Sequence, residues 1–158
     1  MGLFSSFGAL FVADDSAKES TTDREEQEGQ RRTVLMIDDD LAFLDVTVAL
    51  MREAGFNVLK SNSGPKGLNI LRYAPQDIKV VLLDFDMPHF DGAETLQFVR
   101  RLSPTAKVIG ITGIDPKFLP PEFRDGVDEL LHKPLDPATF IDHLNIYFAP
   151  PAPALAVK

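Results

Sequence analysis

Between Thr33 and Phe148 the sequence alternates short apolar runs with amphipathic segments, and this alternation occurs five times. The third apolar run, IKVVLL at 78–83, ends directly before Asp84. Strands that are apolar on both faces and alternate with helices are typical of a parallel sheet covered by helices on each side. Because crossovers between parallel strands are right-handed, five such units predict an α/β fold with a doubly wound, five-stranded parallel sheet of the flavodoxin-like type.

The apolar runs predict strands at residues 33–37, 56–60, 78–83, 107–111 and 129–132. The first predicted helix begins after Asp40, and Gly55 stands where a glycine commonly follows the end of a helix. Pro65 is a favourable first residue for the second helix, and the third covers 93–102. The last helix begins at Asp136–Pro137, where an aspartate cap precedes a proline.

The fourth helix is predicted to be irregular or shortened. Pro116, Pro120 and Pro121 all fall between the fourth and fifth predicted strands. A proline in a helix interior removes a backbone hydrogen bond and costs about 3 kcal/mol. We therefore expect a broken element in this region instead of one continuous helix.

The 158 residues suffice for one domain with additional tails. We place the domain at 33–148, between an N-terminal extension (1–32) and a Pro/Ala-rich tail (149–158). The extension consists of an apolar segment, MGLFSSFGALFV, followed by a charged linker. The apolar residues of that segment repeat at helical spacing, which is compatible with docking to the domain, a partner or a membrane surface; a frayed terminus is the alternative.

Composition excludes several classes of function. The chain has no cysteine, which rules out disulfides, thiolate zinc sites and cysteine nucleophiles and is compatible with a cytoplasmic location. Its formal net charge of −8 argues against binding to nucleic acid, which requires clustered Lys and Arg. No apolar run approaches the roughly 20 residues that span a bilayer, and we do not expect a membrane partner.

Polar residues follow four of the predicted strands, namely Asp38, Asp39 and Asp40, then Asp84, Thr112 and Lys133. In a doubly wound sheet the ligand binds at the carboxyl ends of the strands, so these side chains are expected to lie together. Neighbouring carboxylates about 4 Å apart repel each other by roughly 4 kcal/mol near a protein surface, and a cation relieves this repulsion. An all-oxygen site without His or Cys favours Mg²⁺.

A magnesium ion beside a carboxylate and a lysine is suited to phosphoryl transfer. The carboxylate of Asp84 can attack phosphorus while the metal and Lys133 neutralise the phosphoryl oxygens. Thr112 can donate a hydrogen bond to one of these oxygens. Such a reaction depends on positioning and electrostatics and makes little demand for a general base.

Four segments resemble the receiver domains of two-component response regulators, namely LMIDDD at 35–40, VVLLDFDMPHFDG at 80–92, VIGITG at 108–113 and LLHKP at 130–134. Their separations are also similar to the family pattern. Asp84 lies 45 positions after Asp39, Thr112 lies 28 positions after Asp84, and Lys133 lies 21 positions after Thr112. The resemblance covers essentially all of 33–148.

This resemblance implies a role for each strand-end residue. Asp84 corresponds to the phosphoacceptor, and Thr112 and Lys133 correspond to the residues that contact the phosphoryl group. The implied ligands of Mg²⁺ are Asp38, Asp39, Asp84 and the backbone carbonyl of Asp86. Among them, Asp39 is the expected direct ligand and Asp38 acts through water. Asp40 is expected to cap the first helix, with metal binding as the alternative.

The function that the resemblance implies is that of a stand-alone response regulator in a Mg²⁺-dependent phosphorelay. A sensor histidine kinase or a histidine phosphotransfer protein would donate the phosphoryl group to Asp84. Phosphorylation would then change binding to a downstream protein in trans. The chain would catalyse only its own phosphorylation and dephosphorylation, and would not be an enzyme in the usual sense.

The sequence also departs from the family pattern. Leu130 occupies a position where the family usually has Tyr or Phe, and Gly113 replaces a more usual Ala. Together with the broken fourth helix, these departures favour one alternative, a phosphorylation-independent interaction scaffold on a receiver fold. Another alternative is a phosphohydrolase of the haloacid-dehalogenase type, which shares the Asp-x-Asp of Asp84 and Asp86. Against it, the motif follows the third strand instead of the first, and Pro88 occupies its fifth position.

Overall fold

The computed structural model describes residues 32–73 and 77–149. Within these residues one parallel sheet has the strand order β2-β1-β3-β4-β5. Its strands are β1 (Thr33–Ile37), β2 (Asn57–Ser61), β3 (Ile78–Asp84), β4 (Lys107–Thr112) and β5 (Glu129–His132). The predicted doubly wound fold is therefore confirmed. The predictions for residues 1–31 and 150–158 lie outside the described residues.

The helices that cover the sheet are α1 (Leu41–Glu53), α2 (Gly64–Tyr73), α3 (Gly92–Leu102), α4 (Pro121–Arg124) and α5 (Pro137–Phe148). Asp40 and Asp136 cap α1 and α5 with side-chain oxygens, as predicted. Gly55 follows α1 with a φ of 85°, a conformation that glycine adopts without steric cost. None of the described helices is long and apolar enough to cross a membrane.

The fourth helical region is broken, as the prolines predict. A 3₁₀ turn covers Pro116–Phe118, and the four-residue α4 follows it. Pro116 and Pro121 each lie in the first turn of their own element, where the missing N–H carries no penalty. The two short elements thus accommodate prolines that one continuous helix could not contain.

The hydrophobic core has two halves, one on each face of the sheet. Successive strand residues point to opposite faces, and all five residues of β1 are buried. Met36 therefore packs with α1 and α5 residues such as Leu44 and Leu144, whereas Leu35 packs on the other face with α2 and α3 residues such as Leu71. Helices cover both faces of the sheet, so a site can form at the carboxyl ends of the strands.

A cluster of charged residues lies at the amino-terminal ends of β4 and β5. The carboxylate of Asp128 accepts hydrogen bonds from Arg100 Nη2 at 2.8 Å, Lys107 Nζ at 3.0 Å and the Val108 N–H at 2.8 Å. Partial burial raises the pKa of Asp128, but the Val108 N–H and the two cations outweigh it and lower that pKa to about 2. This carboxylate therefore ties α3 to the beginning of β4.

Candidate functional site

The strand order brings the predicted polar residues to one edge of the sheet. The winding direction reverses between β1 and β3, because β2 lies on one side of β1 and β3, β4 and β5 lie on the other. Asp38 directly follows β1, and Asp84 is the last residue of β3. In open α/β sheets this reversal point is where ligands bind.

Three carboxylates converge at this point. Asp38, Asp39 and Asp84 each offer an oxygen within 4.8 Å of the others. Asp38 is 1% exposed and Asp84 is 4% exposed, whereas Asp39 is open to solvent. Oxygens on opposite sides of a bound Mg²⁺ are about 4 Å apart, so this cluster fits one ion that retains some of its water. The residues present therefore fit the predicted metal.

Lys133 joins the two buried carboxylates. Its ammonium Nζ lies 2.8 Å from Asp38 Oδ2 and 2.9 Å from Asp84 Oδ1. The same Nζ lies 4.3 Å from the ring centroid of Phe43 in α1, a cation–π contact. The backbone N–H of Lys133 donates to the Thr112 carbonyl at 2.8 Å, which holds the Lys133 backbone next to the end of β4. The lysine is thus held from three directions.

Burial controls the charge balance of the site. It raises the pKa of Asp84 to about 6; the negative charges of Asp38 and Asp39 add to this rise, and Lys133 opposes it. Burial likewise raises the pKa of Asp38. Burial alone would lower the pKa of Lys133, but its hydrogen bonds to the two carboxylates outweigh this effect and raise it. One ammonium does not fully compensate the buried carboxylates, so a bound cation would stabilise the site.

Thr112 ends β4 beside Asp84. Asp84 pairs with Ile111 in the sheet, which puts Thr112 one residue beyond that pair. The Thr112 side chain is fully buried, and its Oγ1 accepts the Ile114 N–H at 3.0 Å. A hydroxyl that accepts one hydrogen bond can donate another, as the predicted contact with a phosphoryl oxygen requires.

Two other acidic residues differ from this cluster. Asp40 Oδ1 accepts the N–H groups of Ala42 at 3.0 Å and Phe43 at 3.1 Å, so its carboxylate caps α1 as predicted. Asp86 is exposed, two residues beyond Asp84, and the role of its backbone carbonyl stays a prediction.

A glycine holds the loop after Asp84 close to the end of β3. The Gly92 N–H donates to the Phe85 carbonyl at 3.0 Å. A Cβ at Gly92 would lie 2.5 Å from the Asp84 carbonyl oxygen and 2.6 Å from the Phe85 Cα. Only a residue without a side chain permits this approach, so Gly92 helps to fix the backbone around Asp84.

A sequence model of the response regulator receiver domain matches residues 34–145. This chain belongs to the response regulator receiver family. The solved receiver domain from Clostridium thermocellum shares 28% sequence identity with it at a TM-score of 0.67; the match covers 73% of this chain and 93% of that one. The five-stranded sheet is thus the receiver fold.

Two larger proteins also contain a region similar to this receiver. The transcriptional regulatory protein ZraR of Escherichia coli K12 is 34% identical over 104 residues, which cover 65% of this chain and 23% of ZraR. The CAI-1 autoinducer sensor kinase/phosphatase CqsS of Vibrio cholerae is 30% identical over 109 residues, which cover 66% of this chain and 16% of CqsS. The receiver therefore spans less than a quarter of either relative.

Sequence reasoning missed the aromatic residues around the receiver site. Phe43 is one of several apolar residues in α1, and its position in the sequence does not indicate a contact with Lys133. Phe85 and Phe123 form a ring pair next to Asp84, with centroids 5.0 Å apart. Phe85 immediately follows Asp84 in the sequence, and that position was the one available signal.

Proposed function

We propose that this receiver accepts a phosphoryl group on Asp84 in a Mg²⁺-dependent reaction and that phosphorylation switches its binding to a protein partner. The supporting observation is the arrangement of Asp84 itself, which is buried, shares Lys133 with Asp38 and lies within metal-binding distance of Asp39. A buried carboxylate between a lysine and a cation site is suited to attack phosphorus.

The transfer exchanges one bond to phosphorus for another. A carboxylate oxygen of Asp84 forms the new O–P bond, and the P–N bond to the donor histidine breaks. The electron pair of that bond stays on the imidazole nitrogen, which takes up a proton from solvent. Lys133 follows the phosphoryl oxygens as their charge changes, and Thr112 donates a hydrogen bond to one of them.

The metal would supply charge neutralisation at the phosphoryl oxygens. Asp39 would bind it directly and Asp38 through water, and Asp84 and the Asp86 backbone carbonyl would complete the protein ligands. The all-oxygen donor set supports Mg²⁺ over softer metals. Because Asp38 and Asp84 also hold Lys133, metal binding and the position of the lysine are expected to be linked.

We further propose that the donor is a sensor histidine kinase or a histidine phosphotransfer protein, and that the output is a protein partner bound in trans. The similarity to both a sensor kinase/phosphatase and a transcriptional regulatory protein supports a place in phosphoryl-based signalling. Under this proposal the receiver acts in the cytoplasm and catalyses only its own phosphorylation and dephosphorylation.

Binding of beryllofluoride, a mimic of the phosphoryl group, tests the proposal. We expect wild-type protein to bind it in calorimetric titrations only when Mg²⁺ is present. Asp84→Asn should abolish the binding, whereas Asp142→Asn, which changes an exposed carboxylate of α5, should not affect it. Absence of binding to the wild type, or equal binding to Asp84→Asn, would refute the proposed acceptor.

A second candidate is a phosphorylation-independent scaffold, which two features favour. Leu130 replaces the usual aromatic residue, and α4 has only four residues. This candidate predicts equal partner affinity for wild type and Asp84→Ala. A tenfold difference between them, equivalent to about 1.4 kcal/mol, would exclude it as the main function.

A further inference from the structure

The short α4 is anchored by an aromatic side chain that also reaches the acceptor strand. Phe123 is completely buried, and its ring lies against that of Phe85, the residue after Asp84. The Phe85 N–H donates to the Ile111 carbonyl at 3.2 Å, so this residue is bound to β4 as well. One ring of α4 therefore packs against the side chain of the residue that follows Asp84.

Two glycines make room for the Phe123 ring. A Cβ at Gly92 would lie 3.0 Å from Phe123 Cε2, and a Cβ at Gly110 would lie 3.0 Å from Phe123 Cε1. The Gly110 Cβ would also lie 2.9 Å from Leu130 Cδ1. The ring thus fills the space left by two missing side chains, between the beginning of α3 and the strands β4 and β5.

The segment between Thr112 and α4 is far less constrained. A Cβ at Gly113 would meet no other atom within 4 Å, and Phe118 is 72% exposed. Asp115 pairs with Lys117 two residues away, so this contact is local. Leu119 and Phe123 are the buried side chains of this region, and the Phe123 ring packs against the Phe85 ring.

We propose that Phe123 is a positioning residue that braces Phe85 and the Asp84 backbone and transmits the state of Asp84 to α4. This inference rests on the proposed function. Leu130 lacks the aromatic ring that the family usually has at its position, and α4 supplies a ring from the neighbouring side. Coupling between two sites is reciprocal, so loss of the ring must affect both ligand binding at Asp84 and the response of α4.

The test compares full-length wild type, Phe123→Leu and Phe56→Leu. Phe56 is a matched control because it is also buried and forms an aromatic pair, with its ring centroid 5.5 Å from that of Phe148. It directly precedes β2, which is the outermost strand on the side of the sheet away from β4 and β5. Two quantities are measured, the affinity for beryllofluoride with Mg²⁺ and the change in hydrogen exchange of residues 116–127 when beryllofluoride binds. Phe123→Leu should weaken binding about fivefold or more and abolish the exchange change. Phe56→Leu should retain both wild-type values.

If Phe123→Leu does not fold, Phe85→Leu removes the other ring and should produce the same two losses. When both single variants fold, the double variant should lose no more affinity than the single variants, because both changes remove the same contact. The inference would be overturned if the ring variants bind beryllofluoride with wild-type affinity, or if hydrogen exchange of residues 116–127 still changes on binding. Either result would leave the proposed role of Asp84 unaffected. A wild-type protein that does not respond to beryllofluoride would refute the proposed function, and the inference with it.

Discussion

Replacing Asp84 with asparagine should make the metal-free protein more stable. Asp84 is almost completely buried, and its pKa in the folded protein is raised from 3.8 to about 6. The folded protein therefore holds the Asp84 proton more tightly than the unfolded chain does. Stability must fall as the pH rises from about 4 to about 6, because the unfolded chain ionises first.

The size of the effect follows from the same pKa. A rise from 3.8 to about 6 corresponds to about 3 kcal/mol of lost stability above pH 6. This value already includes the favourable contact with Lys133, which partly compensates burial. Asp84→Asn keeps the shape of the side chain and removes the charge. We therefore expect a gain of about 2 to 3 kcal/mol at pH 7.5 and almost none at pH 4.

Urea denaturation in the presence of a chelator measures this difference, with the free energy of unfolding determined at both pH values. Addition of Mg²⁺ should stabilise the wild type at pH 7.5 and have much less effect on Asp84→Asn. The control Asp142→Asn should follow the wild type throughout. If Asp84→Asn is no more stable than the wild type at pH 7.5, or if its advantage is equally large at pH 4, the electrostatic reasoning is wrong.

Three other substitutions test separate parts of the structure. Asp128→Asn should lower the free energy of unfolding by about 1 kcal/mol at neutral pH, after allowance for solvent screening. Because the pKa of Asp128 in the folded protein is lowered to about 2, urea titrations should show this loss disappear as the pH falls from about 4 to about 2. Phe43→Leu should weaken beryllofluoride binding about two- to fivefold through loss of the cation–π contact with Lys133. Phe43→Tyr keeps an aromatic ring and should retain the wild-type affinity. Equal affinities for all three proteins would exclude a role for the ring. Gly92→Ala should destabilise the fold by about 1 to 3 kcal/mol in urea denaturation because its Cβ would meet backbone atoms, whereas Gly113→Ala, whose Cβ enters open space, should change stability by less than about 0.5 kcal/mol. Similar losses for both glycine variants would contradict the steric argument.

Strand ends show how far local sequence patterns reach. The apolar runs located all five strands, but β3 includes Asp84 and β4 includes Thr112, which the patterns placed just outside. The second strand begins at Asn57 because Phe56 instead donates its N–H to the Met51 carbonyl at the end of α1. Backbone pairing, such as that of Asp84 with Ile111, determines where a strand ends, and hydrophobicity only approximates it.

The broken fourth helix was predictable, but the position of its anchor was not. Proline chemistry is local, so Pro116 and Pro121 were sufficient to predict short elements. The Phe123 ring lies beside Gly92 of α3 and Gly110 of β4, which are 31 and 13 positions from it in the chain. No periodicity within a four-residue helix could indicate that this ring contacts Phe85, the residue after Asp84.

By itself, the sequence determined the order of the strands along the chain, the edge of the sheet at which the polar groups meet, and which chemical groups are present there. These properties depend on residue type and on spacing within short segments. Only the tertiary structure decided that Lys133 joins Asp38, 95 positions away, to Asp84, and that burial raises the pKa of Asp84. Desolvation and charge interactions sum over all groups that surround a side chain in space, and those groups come together only when the chain folds.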